Sequence, residues 1–254
     1  MNQDKTQQGH VHTTTQNGVA TIEFYHPSHN SLPGRLLKKL ENAIDTAGAD
    51  DAVRVIVLRS GGNRTFCAGA SFDELKRIAD PEEGKAFFMG FAKVINAMRR
   101  CPKFIIGRVQ GKAVGGGVGL ASAVDYCFAT RYASVKLSEL AIGIGPFVIA
   151  PAVERKVGTS KMSIMAIDAT GWYTAEWAKE AGLFAQVFSD AELMDAAIAQ
   201  LAQKLSSSHL SAMTALKRVF WRDTDHWDEL LAERAATSGK LILSDFCKNY
   251  LKTV

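Results

Sequence analysis

The chain has 254 residues, 47% of them hydrophobic, enough to bury one sizeable core. Its 30 basic and 26 acidic residues leave a formal charge of +4 with no long basic run, which argues against nucleic acid and suits a small anionic ligand. Four scattered cysteines, no apolar stretch of membrane-spanning length and a polar N-terminus weigh against a disulfide or metal framework, a membrane partner and a secretory signal; a cytoplasmic protein with reduced thiols is expected.

In chain order, residues 1–15 read as a flexible tail. Val19 to Phe24 alternates as a strand does and stops at His26-Pro27. Leu36, Leu37, Leu40, Ala43 and Ile44 recur at helical spacing. Val53 to Leu58 is a near-continuous apolar run, the mark of a parallel strand covered on both faces. A glycine turn and TFCAGASFDEL follow. Glu82 to Met98 is helical, with its phenylalanines on one side, and Cys101-Pro102 ends it. Phe104 to Val109 is a strand, and Gly115-Gly116-Gly117 opens an Ala-rich helix. Short strands are expected at Tyr126–Ala129, Ser134–Leu137 and Val187-Phe188. Helices are expected at Glu154–Ala166, at Thr174–Ala181 and, from Ala191, almost to the end. Strands alternating with helices indicate βαβ-type units in an α/β domain, with a helical region left over at the C-terminus.

Two backbone segments draw attention. Three adjacent glycines at a strand end and helix start are costly in chain entropy, so something must approach the main chain closely there. The free N–H groups and positive dipole end of a helix start suit an oxygen gaining negative charge. Phe66-Cys67-Ala68-Gly69-Ala70 is a second small-residue turn after a strand. A tightly packed turn accounts for either segment alone; the two in this order make a paired oxyanion site the sharper reading.

At these segments the chain resembles the enoyl-CoA hydratase/isomerase (crotonase) family. The matching stretches are TFCAGASFDEL, VQGKAVGGGVGLASAVDYCFAT, ASVKLSELAIGIGPFVIAPAVERKVG and AKEAGLFAQVF. The resemblance implies an α/β crotonase-like spiral of ββα units over 16–190, holding the acyl-CoA site, and a C-terminal helical trimerisation region over 191–254. It implies an acyl-CoA thioester as partner and substrate, no cofactor beyond the coenzyme A of that substrate, and a homotrimer or dimer of trimers. It places the oxyanion donors at the N–H groups of Ala70 and Gly116 and the catalytic acid–base at Glu139. Substrate contacts are expected at Ala68, Gly69, Gly115, Gly117 and Gly119, with the coenzyme A adenine around Ala68 and Ala70. Pro146 and Phe147 are expected to shape the acyl pocket.

One departure matters. Two-glutamate hydratases of the family carry a Glu two residues after the glycine run, and Gly119 stands there. Moving a double bond needs one acid–base group, whereas adding water is easier with two. Counting therefore favours an isomerase. The spelling GGGVGL with LSEL-x-IGI-x-P resembles the methylglutaconyl-CoA hydratase branch, and on it hydration of a 2-enoyl-CoA is the leading expectation. The alternatives are a Δ3,Δ2-enoyl-CoA isomerase and a crotonase-fold protein that binds CoA esters without turnover. Burial beside Leu140, Ile142, Ile144 and Phe147 is expected to raise the Glu139 pKa. Asp73 and Glu74 read as a solvated helix start, His26 and His29 as loop residues, and Lys76 and Arg35 as distant candidates for CoA phosphates.

Overall fold

The computed structural model describes residues 9–253. The described chain opens on a hairpin, β1 (His10–Gln16) and β2 (Val19–Tyr25), paired in full register from His10↔Tyr25 to Gln16↔Val19. This corrects the expected tail over 10–15; residues 1–8 lie outside the described part. The sequence signal was Asn17-Gly18: both have positive φ (51° and 78°), as a two-residue hairpin turn requires, and threonines favour the strand before it.

Helix α1 (Gly34–Ala49) leads into three successive units, each a strand, a short strand and a helix. The first is β3 (Val55–Ser60), β4 (Thr65–Cys67), the single turn α2 (Phe72–Leu75) and α3 (Pro81–Arg100). The second is β5 (Phe104–Val109), β6 (Lys112–Val114) and α4 (Gly116–Ala123). The third is β7 (Tyr126–Thr130), β8 (Ser134–Lys136), a 3₁₀ turn at Leu140–Ile142 and α5 (Ala150–Ile167). Then come β9 (Tyr173–Thr174), α6 (Ala175–Glu180), β10 (Gln186–Phe188), α7 (Ala191–Ser206), α8 (Leu210–Phe220), α9 (Trp227–Leu241) and α10 (Asp245–Lys252). The long strands form one sheet in the order β1-β2-β3-β5-β7-β10, parallel except for the opening hairpin. The short strands form a second, β4-β6-β8-β9, parallel except at β9. This is the expected spiral of ββα units with C-terminal helices.

The large sheet is covered on both faces, which explains the unbroken apolar run of β3. Ile56 and Leu58 enter the main core, while Val55 and Val57 join Ile106 and Phe128 against Met194, Ile198 and Ala202 of α7. Each such side chain contributes about 1.5–3 kcal/mol by leaving water. Two contacts fix the C-terminal helices to this body. α9 crosses α3 with backbones touching: a Cβ on Gly84 would lie 2.7 Å from the Cα of Gly239. α8 is pinned by buried Lys217, whose Nζ lies 2.9 Å from Asp125 Oδ2; that carboxylate also accepts from the Ile105 N–H and from Trp221 Nε1. No described helix is long and apolar enough to cross a membrane.

Candidate active site

Each of the three units delivers one group to the same place. β4, β6 and β8 lie side by side and parallel, so the residues just past their C-terminal ends emerge together. These residues are Ala70, Gly116 and Glu139.

The first turn is held from below by the loop before α1. Ala68 N–H donates to the His29 carbonyl (3.2 Å) and Leu32 N–H to the Gly69 carbonyl (2.8 Å). Asn30 fixes that loop: its side chain accepts from His26 N–H (2.9 Å) and donates to the Gly61 and Thr65 carbonyls (2.8 Å each). Gly69 has φ +84° and sits against the second turn, where a Cβ would lie 2.9 Å from the Val114 oxygen and 3.4 Å from the Gly116 nitrogen. The two turns are thus in backbone contact. Neither the Ala70 nor the Gly116 N–H donates to any described protein acceptor. Both line one cavity. Backbone donors shielded from water are rarely left unpaired, and two of them lining one space, at half-buried Ala70 and buried Gly116, suit an oxygen that enters it.

Gly115 (φ +52°, ψ −116°) makes the third contact, in a conformation open only to glycine. Its N–H donates to the Lys136 carbonyl (2.8 Å), and a Cβ there would lie 2.6 Å from Glu139 Oε1. The carboxylate therefore rests against the glycine run. Glu139 leads the 3₁₀ turn, and its carbonyl accepts from the Ile142 (3.2 Å) and Ile144 (3.0 Å) N–H groups. Gly143 closes that turn at φ +91°, where a Cβ would lie 2.7 Å from Cys247 Sγ of α10. The stem of Glu139 is half-buried, but Oε2 is enclosed and has no hydrogen-bond partner. Burial pushes its pKa up to about 7, against the lowering effect of a hydrogen bond from its own backbone.

The cavity holds about 90 Å³, several times what one water needs. Phe88 and Phe91 of α3 and Ile142, Ile144, Phe147 and Ile149 give it an apolar wall, and Ser138 and Ser238 add two hydroxyls. Of the residues expected here, Ala68, Gly69, Ala70, Gly115, Gly116, Glu139, Pro146 and Phe147 line it. Gly117 and Gly119 do not, which corrects their expected substrate contact. Gly117 is packed beneath the floor, where a Cβ would lie 2.5 Å from the Cys67 oxygen. At Gly119 a Cβ would lie 2.5 Å from Cγ2 of Ile149, so an isoleucine fills the space a carboxylate would need. Leu140 turns outward, 52% exposed, and forms no part of the wall. Glu74 has a structural task, accepting the Gly34 N–H (2.7 Å) at the start of α1. Asp73, Lys76 and Arg35 lie outside the lining. Sequence reasoning missed Ile149 as a partner of Gly119, and Ser238, which arrives on α9 a hundred residues after Glu139 without any motif to mark it.

The family model described as Enoyl-CoA hydratase/isomerase matches residues 14–243. A protein of Bacillus subtilis (strain 168) named "Probable enoyl-CoA hydratase" is 33% identical over 144 residues, 56% of this chain and 55% of that protein, so the chain spans about half the length of this relative. The peroxisomal Delta(3,5)-Delta(2,4)-dienoyl-CoA isomerase of Arabidopsis thaliana is 26% identical over 252 residues, 92% of this chain and 89% of the relative. The crystal structure of enoyl-CoA hydratase from Bacillus halodurans superposes with a TM-score of 0.88 at 20% identity, covering 96% of this chain and 99% of that one, a likeness of fold.

Proposed function

The chain belongs to the enoyl-CoA hydratase/isomerase family, and from that premise we propose that it shifts a carbon–carbon double bond in an acyl-CoA thioester with Glu139 as its one acid–base group. The observation that carries this reading is the pairing of Gly119 with Ile149. Among the described residues no second carboxylate lines the cavity, and an apolar side chain lies against Gly119. A single base suffices when the proton it removes is the proton it returns.

The steps balance without any other group. The Glu139 carboxylate takes a proton from C2 of a 3-enoyl thioester. The electron pair moves onto the thioester oxygen, where the Ala70 and Gly116 N–H groups hold it; removing one such donor in other enzymes costs about 2.7–4 kcal/mol of transition-state stabilisation. Protonated Glu139 then gives its proton to C4, which leaves a conjugated 2-enoyl thioester and an ionised Glu139. A pKa near 7 suits both halves of that transfer.

Hydration is the second reading, favoured by the unpartnered Oε2 and by the hydroxyls of Ser138 and Ser238, which give a water polar neighbours. Water oxygen would add to C3, its proton passing through Glu139 to C2. One experiment separates the two. Purified protein incubated with 3-hexenoyl-CoA is expected to produce enone absorbance, and Glu139→Gln to abolish it. Loss of absorbance from crotonyl-CoA, with no gain from 3-hexenoyl-CoA, would put hydration first. Binding of both esters without turnover of either would leave only a CoA-ester-binding role. The assembly proposed is a homotrimer or a pair of trimers, supported by a half-exposed apolar stripe on α8.

A further inference from the structure

Resting on the reading of the cavity as an acyl-CoA site, we infer that the acyl chain it selects is uncharged and carries one hydrogen-bonding group that pairs with Ser238. Three observations support this.

First, no described residue lining the cavity is Lys, Arg or His, and its only ionisable side chain is Glu139. An acyl chain ending in a carboxylate, as in the 3-methylglutaconyl ester that the LSEL spelling suggests, would bring a second negative charge into an apolar wall without a counter-ion. Such a charge is costly to bury unpaired. Arg234 does not line the cavity, and its Nη1 is taken by the Phe147 carbonyl at 3.3 Å.

Second, Ser238 is 1% exposed and yet lines this cavity. No hydrogen bond from its hydroxyl to another described residue is seen, the helix carbonyl of Arg234 one turn back included. Two other helix hydroxyls bond the carbonyl one turn back, Ser122 to Val118 (2.8 Å) and Thr237 to Glu233 (3.2 Å). Ser238 forgoes that bond, so its donor and its acceptor are both free for whatever enters. A buried polar group without a partner is destabilising, and a ligand that completes it gains accordingly.

Third, Ser238 sits on a rigid wall. The residue after it, Gly239, is the one that touches Gly84 at the crossing of α9 and α3, and Phe88 of α3 lines the cavity one turn beyond Gly84. The backbone that carries the hydroxyl is therefore fixed in position, as the support of a group that reads a substrate must be.

The test is equilibrium binding of saturated CoA esters, which does not depend on which reaction the protein catalyses. By calorimetry, hexanoyl-CoA, 5-oxohexanoyl-CoA, 6-hydroxyhexanoyl-CoA and adipyl-CoA are compared on the wild type and on Ser238→Ala, with melting curves confirming that both are folded. At least one of the two neutral polar esters is expected to bind about tenfold more tightly than hexanoyl-CoA, adipyl-CoA to bind most weakly, and the polar gain to fall below about twofold in Ser238→Ala. Equal binding of the neutral esters, a polar gain that survives in Ser238→Ala, or adipyl-CoA binding best would overturn the assignment. Absence of binding by all four esters would instead remove the acyl-CoA reading on which it rests.

Discussion

In the proposed reaction Glu139 couples stability and activity through one proton. Its pKa rises from an ordinary 4.5 to about 7 because burial disfavours the charged form. As the base it must be ionised, so kcat/KM is expected to climb with pH and level off above a midpoint near 7. Stability runs the other way. A folded-state pKa above the unfolded one means that the native protein holds the proton more tightly, a stabilisation fully present below 4.5 and lost as pH rises through 7. Glu139→Gln never carries the charge. It should melt close to the wild type at pH 4 and above it at pH 8, by about 1–3 kcal/mol. Identical melting of the two at pH 8 would mean that the carboxylate is not enclosed. Gly115 offers a separate test at this scale. Gly115→Ala forces a Cβ into a glycine-only conformation and against Glu139 Oε1, at 2.6 Å in the present geometry. A carboxylate displaced by that contact should lose about 100-fold or more in kcat, with a smaller effect on KM.

Elements with a long, regular period were plain in the sequence, and those held by pairing alone were not. α3 shows its phenylalanines at helical spacing and carries Asp80 as a cap for the Glu83 N–H, both local facts. β4, β6 and β9 have two or three residues each, too few for any alternation to register, and they exist because neighbouring strands, parallel for β4 and β6 and antiparallel for β9, complete their hydrogen bonds. The crossing of α3 and α9 was equally hidden, since Gly84 and Gly239 mean little 155 residues apart. Its consequence can be measured. Gly239→Ala or Gly84→Ala should wedge the two helices apart at a cost of about 1–3 kcal/mol each in urea unfolding. The double variant should cost less than the sum, because both side chains enter one contact. Additive losses would indicate two independent sites and a looser crossing.

Across the whole molecule, the groups to which the proposed chemistry is assigned were legible and those that would limit it were not. Glu139, Ala70 and Gly116 lie in motifs with a recognisable spelling. Ile149 stands within such a stretch too, but an apolar residue displays no chemistry until its contact with Gly119 is seen. Assembly depends on the same kind of long-range information. Leu216, Val219 and Phe220 on α8 are 47%, 58% and 47% exposed at i, i+3, i+4 spacing, a stripe that the described residues cover only in part, Phe104 stacking on Phe220. Light scattering is expected to give three or six times the single-chain mass, and Leu216→Lys with Val219→Glu to reduce it to one. The cavity is walled by α9 of its own chain, and the turn carrying Glu139 is braced by its own α10. The dissociated double variant should therefore keep kcat within about threefold of the wild type, since neither substitution touches the site. If activity disappears together with the assembly, a neighbouring subunit must complete the site, and the C-terminal helices act across the interface as well as within the chain.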